Sequence, residues 1–340
     1  MRKGSANRKF VIGAVIAIAI AIVVTCVGWL RWHRSDRSVE TAPLHAPSAV
    51  MPGRQAKKPA VASAPLPPAD TPLRQVFDEL SRRAEQGDPA AACRLAIELE
   101  RCDGIQQRLA AYDEQVWRLE RAEKKTAVSV ADKANRAAWR KMLDGMALGL
   151  IKAADRCEGV RQVPATERVA WWRQGALAGN PAALAHYAVG NAFRRREMLE
   201  LLPELQRYRR EAESMALQAA AHGDLQTSLV LAAAYSPRRD NGERVFLAQV
   251  VQPDLARSLA LYRRGSQQLP ATAGPRSREV IDDNIAWLQQ HATSNDLARA
   301  DTLGEQWSRE WSAAPVAAST RVTVNDNGGV ADIDPAQCAH

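Results

Sequence analysis

The stretch Ala170-Trp-Trp-Arg-Gln-Gly-Ala-Leu-Ala-Gly-Asn-Pro-Ala-Ala-Leu-Ala-His-Tyr187 decides the fold. Residues on both sides of its centre are mostly good helix formers. Gly179-Asn180-Pro181 breaks it in two. A glycine ends one helix, an asparagine caps the next, and a proline suits the first turn. The stretch therefore reads as two helices joined by a tight turn. Gly87-Asp-Pro-Ala-Ala-Ala-Cys-Arg-Leu-Ala96 has the same form, and Gly223-Asp-Leu-Gln-Thr-Ser-Leu-Val-Leu-Ala232 follows it more loosely.

Further parallels lie outside the turn. Ala170-Trp-Trp-Arg-Gln-Gly-Ala176 matches Ala260-Leu-Tyr-Arg-Arg-Gly-Ser266, and Arg101-Cys-Asp-Gly-Ile105 matches Arg156-Cys-Glu-Gly-Val160. The intervals fit an irregular unit of roughly 45 residues, each an antiparallel helix pair. From Leu73 onward the chain is rich in Ala, Leu, Arg, Glu and Gln, with apolar residues three or four apart, as at Leu73, Val76, Phe77 and Leu80. The expected fold class is all-α, an irregular α-solenoid over residues 73–312.

The Trp-Trp-Arg-Gln-Gly-Ala-Leu-Ala-Gly-Asn-Pro-Ala-Ala-Leu-Ala-His-Tyr segment resembles the Sel1-like repeat, a branch of the tetratricopeptide-like helical solenoids. The resemblance is clearest over residues 164–193, fair over 80–105 and 211–268, and absent over 106–150. Most glycines of a regular repeat are missing. The resemblance implies a non-enzymatic adaptor or scaffold of a bacterial envelope or signalling assembly. Such a protein would bind a protein or cell-envelope partner on a concave helical face. Trp171, Trp172, Tyr187, Tyr235, Tyr262 and Trp287 are expected in the core between helices.

Upstream, the chain reads as a membrane tether. Residues 1–9 form a basic tail. Phe10 to Leu30 is an uncharged apolar run long enough to cross a bilayer once as a helix. The run ends without a small-x-small cleavage site, so it reads as an uncleaved anchor. Arg2, Lys3, Arg8 and Lys9 precede it and Arg31, Arg34 and Arg37 follow, a slight preference for a cytoplasmic N-terminus. Trp29 and Trp32 lie where an aromatic belt would form. Gly13, Ala17 and Ala21 share one face of the span and would allow close helix contact. Residues 31–72, rich in Pro, Ala and Ser, read as a disordered linker, and 313–340 as a disordered tail. The expected location is a bacterial inner membrane, with the body in the periplasm.

Charge excludes a nucleic-acid partner. The chain carries +8, but residues 1–72 hold 10 basic and 3 acidic residues, so the body holds 36 and 35 and is nearly neutral. The anionic headgroups of the bilayer are the natural partner of that basic tail. Arg194, Arg195, Arg196, Arg207, Arg209 and Arg210 are interleaved with Glu197, Glu200, Glu204 and Glu211, and read as a solvated, salt-bridged face.

Of five cysteines, Cys26 lies in the span. No Cys/His spacing suits a metal, and no cofactor motif occurs. Cys93 and Cys102 would be about 13 Å apart along one helix, too far to bond to each other. Cys102 and Cys157 hold matching places in the two Arg-Cys-(Asp/Glu)-Gly segments and are expected to form a disulfide, which needs an oxidising compartment. Cys93 and Cys338 have no evident partner. Catalytic signatures are missing: there is no Gly-x-Ser-x-Gly elbow, no His-Glu-x-x-His, no phosphate-binding glycine loop. His186 reads as a packed or surface residue. Two other readings remain, an envelope hydrolase built from scattered carboxylates and a structural oligomer held by the Gly13/Ala17/Ala21 face.

Overall fold

A computed structural model describes residues 64–125, 129–238, 246–271, 273–312 and 333–339. The basic tail, the Phe10–Leu30 span and most of the linker lie outside the described residues. Among the described residues no helix is long and apolar enough to cross a membrane.

The fold is all-α, with no strand among the described residues. Eleven helices follow in order: α1 Leu73–Glu85, α2 Pro89–Glu123, α3 Val130–Asp155, α4 Ala165–Leu177, α5 Pro181–Ala188, α6 Leu202–Ala221, α7 Leu225–Tyr235, α8 Leu247–Val250, α9 Leu255–Gln268, α10 Pro275–His291 and α11 Ser294–Glu310. Short 3₁₀ turns occupy Arg195–Glu197 and Pro335–Ala339. Neighbours in sequence are neighbours in space: α1 packs on α2, α4 on α5, α5 on α6, α6 on α7. Other pairings skip an element, chiefly α2 on α4, α7 on α9 and α9 on α11.

Three joints repeat one geometry. Gly87, Gly179 and Gly223 have φ of 90°, 89° and 93°, where a side chain would be strained. At each, the glycine amide and the next amide donate back into the last turn: Gly87 to Ala84 and Asp88 to Arg83, Gly179 to Ala176 and Asn180 to Gly175, Gly223 to Ala220 and Asp224 to Ala219. The following side chain then caps the new helix. Asp88 accepts from Ala90 and Ala91, Asn180 from Ala183, and Asp224 from Thr227. Each joint thus satisfies orphan groups of two helix ends within three residues.

The core lies between these helices. Trp172, Tyr187, Tyr235 and Tyr262 are buried, and Trp171 and Trp287 are half-buried against them. Two glycines fix helix spacing. A Cβ on Gly175 would lie 2.9 Å from the Ala183 Cβ, and one on Gly265 would lie 2.6 Å from Leu229 Cδ2. These glycines hold the same place in the two parallel segments, so the parallel marks points where α4 meets α5 and α9 meets α7.

Three expectations need correction. The linker ends earlier than residue 72. Arg83 donates to the carbonyls of Ala64 and Pro65, Arg94 to those of Pro67 and Pro68, and Arg156 to that of Ala69. Leu66 packs on the core. A proline-rich strand with few amides leaves its carbonyls for buried guanidinium groups to satisfy. The C-terminal tail is not wholly disordered, since Pro335–Ala339 packs on α2 and α5. Finally, the two Arg-Cys-x-Gly segments differ in conformation. Arg101 to Ile105 runs inside α2, whereas Gly159 takes φ 76° in the turn after α3.

Candidate functional site

The region where the sequence parallels stop, residues 106–150, falls largely on an arm made by the end of α2 and by α3. Helix α2 has 35 residues and so extends about 52 Å. Its first half is embedded in the body, with Ala91 to Leu99 buried. Its second half pairs with α3 as an antiparallel hairpin. Ile105, Leu119, Leu143 and Leu150 are the buried residues of the seam. Ser129 and Asp132 form a capping box that starts α3. Near the tip Arg140 pairs with Glu123, and Arg136 donates to the Lys125 carbonyl.

This thin seam leaves apolar side chains in solvent. Trp117, Val130, Met142, Met146, Leu148 and Ile151 are exposed on the arm, whereas only Leu177, Leu199 and Leu202 are large apolar residues exposed elsewhere among the described residues. Gly145 and Gly149 have open space where a side chain would be. Six of the nine large apolar residues exposed among the described residues thus lie on this one hairpin.

Helix α7 offers no such surface. Helix α7 is buried around its circumference, with only Gln226 and Ala233 half-exposed. Helix α8 packs on α6 and α7, and the Pro335–Ala339 turn packs on α2 and α5.

The base of the arm is pinned. Cys102 and Cys157 are bonded, with Cα atoms 5.5 Å apart. The Leu73 amide donates to the Arg156 carbonyl, and Arg74 pairs with Glu158. Cys93 and Cys338, for which the sequence offered no partner, are bonded to each other across 245 residues. Asn180 reinforces that link by donating to the Cys338 carbonyl at 2.9 Å.

Beside the Cys102–Cys157 bond lies a cleft of about 430 Å³. Asp103, Gln106, Arg161, Arg168, Glu197 and Glu200 contribute to its wall. Every one of its carboxylates has an employer. Arg168, buried, pairs with Glu197 and lies 3.7 Å from Asp103. Arg194 and Arg196 also hold Asp103. Glu200 accepts from the Ala165 amide at the start of α4. Arg194 and Arg196 therefore bracket this segment onto α2, while Arg195 and Arg196 stay exposed, as a salt-bridged face would be.

Behind the cleft Glu100 gathers a buried cluster. Trp172 Nε1 donates to it at 3.2 Å and Arg194 pairs with it at 3.1 Å. His186 Nε2 stands 3.0 Å away, poorly aligned for a hydrogen bond, and its ring stacks on Trp172 with centroids 4.0 Å apart. Burial would push the Glu100 carboxyl up, but His186, Arg194 and Arg168 together hold it below its ordinary value. A second network centres on Glu211, which takes two bonds from Arg173 and one from Tyr187. Burial works against that carboxylate too, and the Arg173 and Tyr187 hydrogen bonds outweigh it and lower it. The Tyr187 hydroxyl is raised by burial and by the carboxylate it serves.

Comparison of the chain with protein-family models, curated proteins and solved structures gives no match. The geometry alone must carry the functional argument. Among the described residues no cluster of His, Cys, Asp and Glu has a metal-binding arrangement. Phe10 and Leu30, the expected ends of the span, lie outside the described residues. Sequence reasoning missed the arm as a site; its signal was the loss of the repeat together with Trp117, Met142 and Met146 in a region without a core pattern.

Proposed function

We propose that this chain is a membrane-tethered scaffold of the Sel1-like, α-solenoid type, with a single span at Phe10–Leu30 in a bacterial inner membrane and its body in the periplasm. Three equivalent glycine joints and the serial packing of helices support the repeat reading. The two disulfides favour an oxidising compartment. The protein binds an apolar face of a protein partner through the α2–α3 arm. One observation carries this: exposed large apolar residues concentrate on the arm, whereas α7 is covered on all sides. A tether raises the partner's effective concentration at the membrane.

The hydrolase reading has less support, because Asp103, Glu197 and Glu200 each serve an arginine or a backbone amide. The oligomer reading rests on Gly13, Ala17 and Ala21, which lie outside the described residues.

Photo-crosslinking residues placed at Met142 and Leu148, in membranes of the native host, test the arm. They should trap a discrete partner that positions Asp301 and Glu305 on α11 do not. Equal yields from both regions would remove the arm as the binding element. An alkaline phosphatase fusion after Asp70 should be active, and an inactive one would put the body in the cytoplasm.

A further inference from the structure

We propose that the Cys102–Cys157 disulfide is a thiol–disulfide exchange site that controls how tightly the arm is held, whereas Cys93–Cys338 is a permanent link. The argument is one of access. Cys93 and Cys338 are both fully buried, sealed by Asn180 and the Pro335–Ala339 turn. Cys102 and Cys157 are only half-buried, and both face the cleft of about 430 Å³. A small dithiol fits a space of that size. Exchange requires a thiolate to reach a disulfide sulfur, so access sets which bond reacts. Charge does not decide it, since Arg161 and Arg168 share the wall with Asp103, Glu197 and Glu200.

The chemistry balances with a dithiol reductant. Its first thiolate attacks one of the two sulfurs, forming a mixed disulfide and releasing the other cysteine as a thiolate, which takes a proton from water. The second reductant thiol, deprotonated, then attacks the mixed disulfide. The reductant leaves as a disulfide, and two electrons and two protons have passed to Cys102 and Cys157. Reoxidation is the reverse exchange with an oxidised dithiol.

The bond's position gives the exchange its consequence. It crosslinks α2 to the turn that follows α3, at the foot of a hairpin whose seam buries few side chains. Opening it leaves only non-covalent ties there, among them the Leu73–Arg156 backbone bond, the Arg156 contacts with Ala69 and Glu98, and the Arg74–Glu158 pair. The arm's helices should then open more often, while the body stays closed. The exchange reaction stands whether or not the arm binds a partner; only its use in controlling binding rests on that reading.

The test uses the full chain, purified in detergent and exposed to graded dithiothreitol under native conditions. Freed thiols are trapped by alkylation and assigned by peptide mass spectrometry, which separates Cys26 from the rest. Cys102 and Cys157 should be labelled at least tenfold faster than Cys93 and Cys338. Equal rates, or faster labelling of Cys93 and Cys338, would overturn the proposal. Gln106→Trp narrows the cleft from an exposed position, and it should slow only the Cys102–Cys157 reaction. An unchanged rate would show that the cleft is not the route. Hydrogen exchange after reduction should quicken in residues 106–155 and not in α5 to α7; an unaltered arm would remove the control of the hairpin.

Discussion

Glu100 shows how a single residue here departs from its surroundings in sequence. In the sequence it is one acid of Glu98-Leu-Glu100 on an ordinary helix. In the fold its carboxylate is met by Trp172, His186 and Arg194, each from a different element. Nothing in residues 98–100 announces these partners, because their spacing of 72 to 94 residues is set only by packing. Burial raises the carboxyl, the surrounding groups lower it further, and the net shift is downward. A carboxyl lowered on folding adds stability that is present above its unfolded value and is lost as pH falls through the folded one. The wild-type urea midpoint should therefore drop on acidification through the carboxylate range. Glu100→Gln should be less stable at pH 7, by about 1–3 kcal/mol for a lost charged hydrogen-bond partner, and should show a shallower acid loss. The two midpoints should converge where the wild-type carboxyl is protonated. Parallel curves at all pH values would mean that Glu100 contributes nothing to the acid dependence.

Helices and joints were the legible scale. The glycine, cap and first-turn proline at residues 87–89 and 179–181 are local chemistry, so they can be read without the fold. The aromatic residues next to them had no other place than the core. The arm was legible only as a gap, because a two-helix seam needs few apolar positions and gives a weak pattern. Its exposed Met142 and Met146 look like core residues until the missing partner helix is seen. The covering of α7 was not legible either, since it depends on α8 and α9 arriving from later in the chain. Shared glycines allow a comparison between two joints of the same kind. Gly175→Ala places a methyl against the Ala183 Cβ, with the Cys93 nitrogen and Pro89 oxygen 3.4 Å away. Backbone and Cβ atoms cannot turn aside, so the cost is that of overpacking, about 1–3 kcal/mol, less the gain in helix propensity. Gly265→Ala meets the end of Leu229, which has rotamers to use. Urea unfolding should rank Gly175→Ala as the more destabilised, and the reverse order would deny that α4 and α5 are in closest contact there.

Seen whole, the described body is closed by both of its ends on one helix. The segment at residues 64–69 crosses towards Arg83 and Arg94, and the Pro335–Ala339 turn is bonded to Cys93, so both meet the first turns of α2. Between them they line a second pocket of about 410 Å³, with Arg94 in its wall. A serial stack of helices has contacts mainly between neighbours, so its ends tend to fray independently. A link spanning 245 residues opposes that by joining the last segment to the first helices. The chain-entropy account assigns a loop of this size roughly 5 kcal/mol, with native-state strain and residual unfolded structure reducing what is realised. Replacing Cys93 and Cys338 by serine should therefore lower the unfolding midpoint under oxidising conditions. It should also split the transition, because α9 to α11 would lose their covalent coupling to α2. Hydrogen exchange should then report a larger rise in opening, relative to the wild type, in α10 and α11 than in α4 and α5. The same variant under reducing conditions should match the reduced wild type apart from its two substitutions. A single, unshifted transition in the double variant would show that the helical stack is cooperative from end to end without its covalent tie.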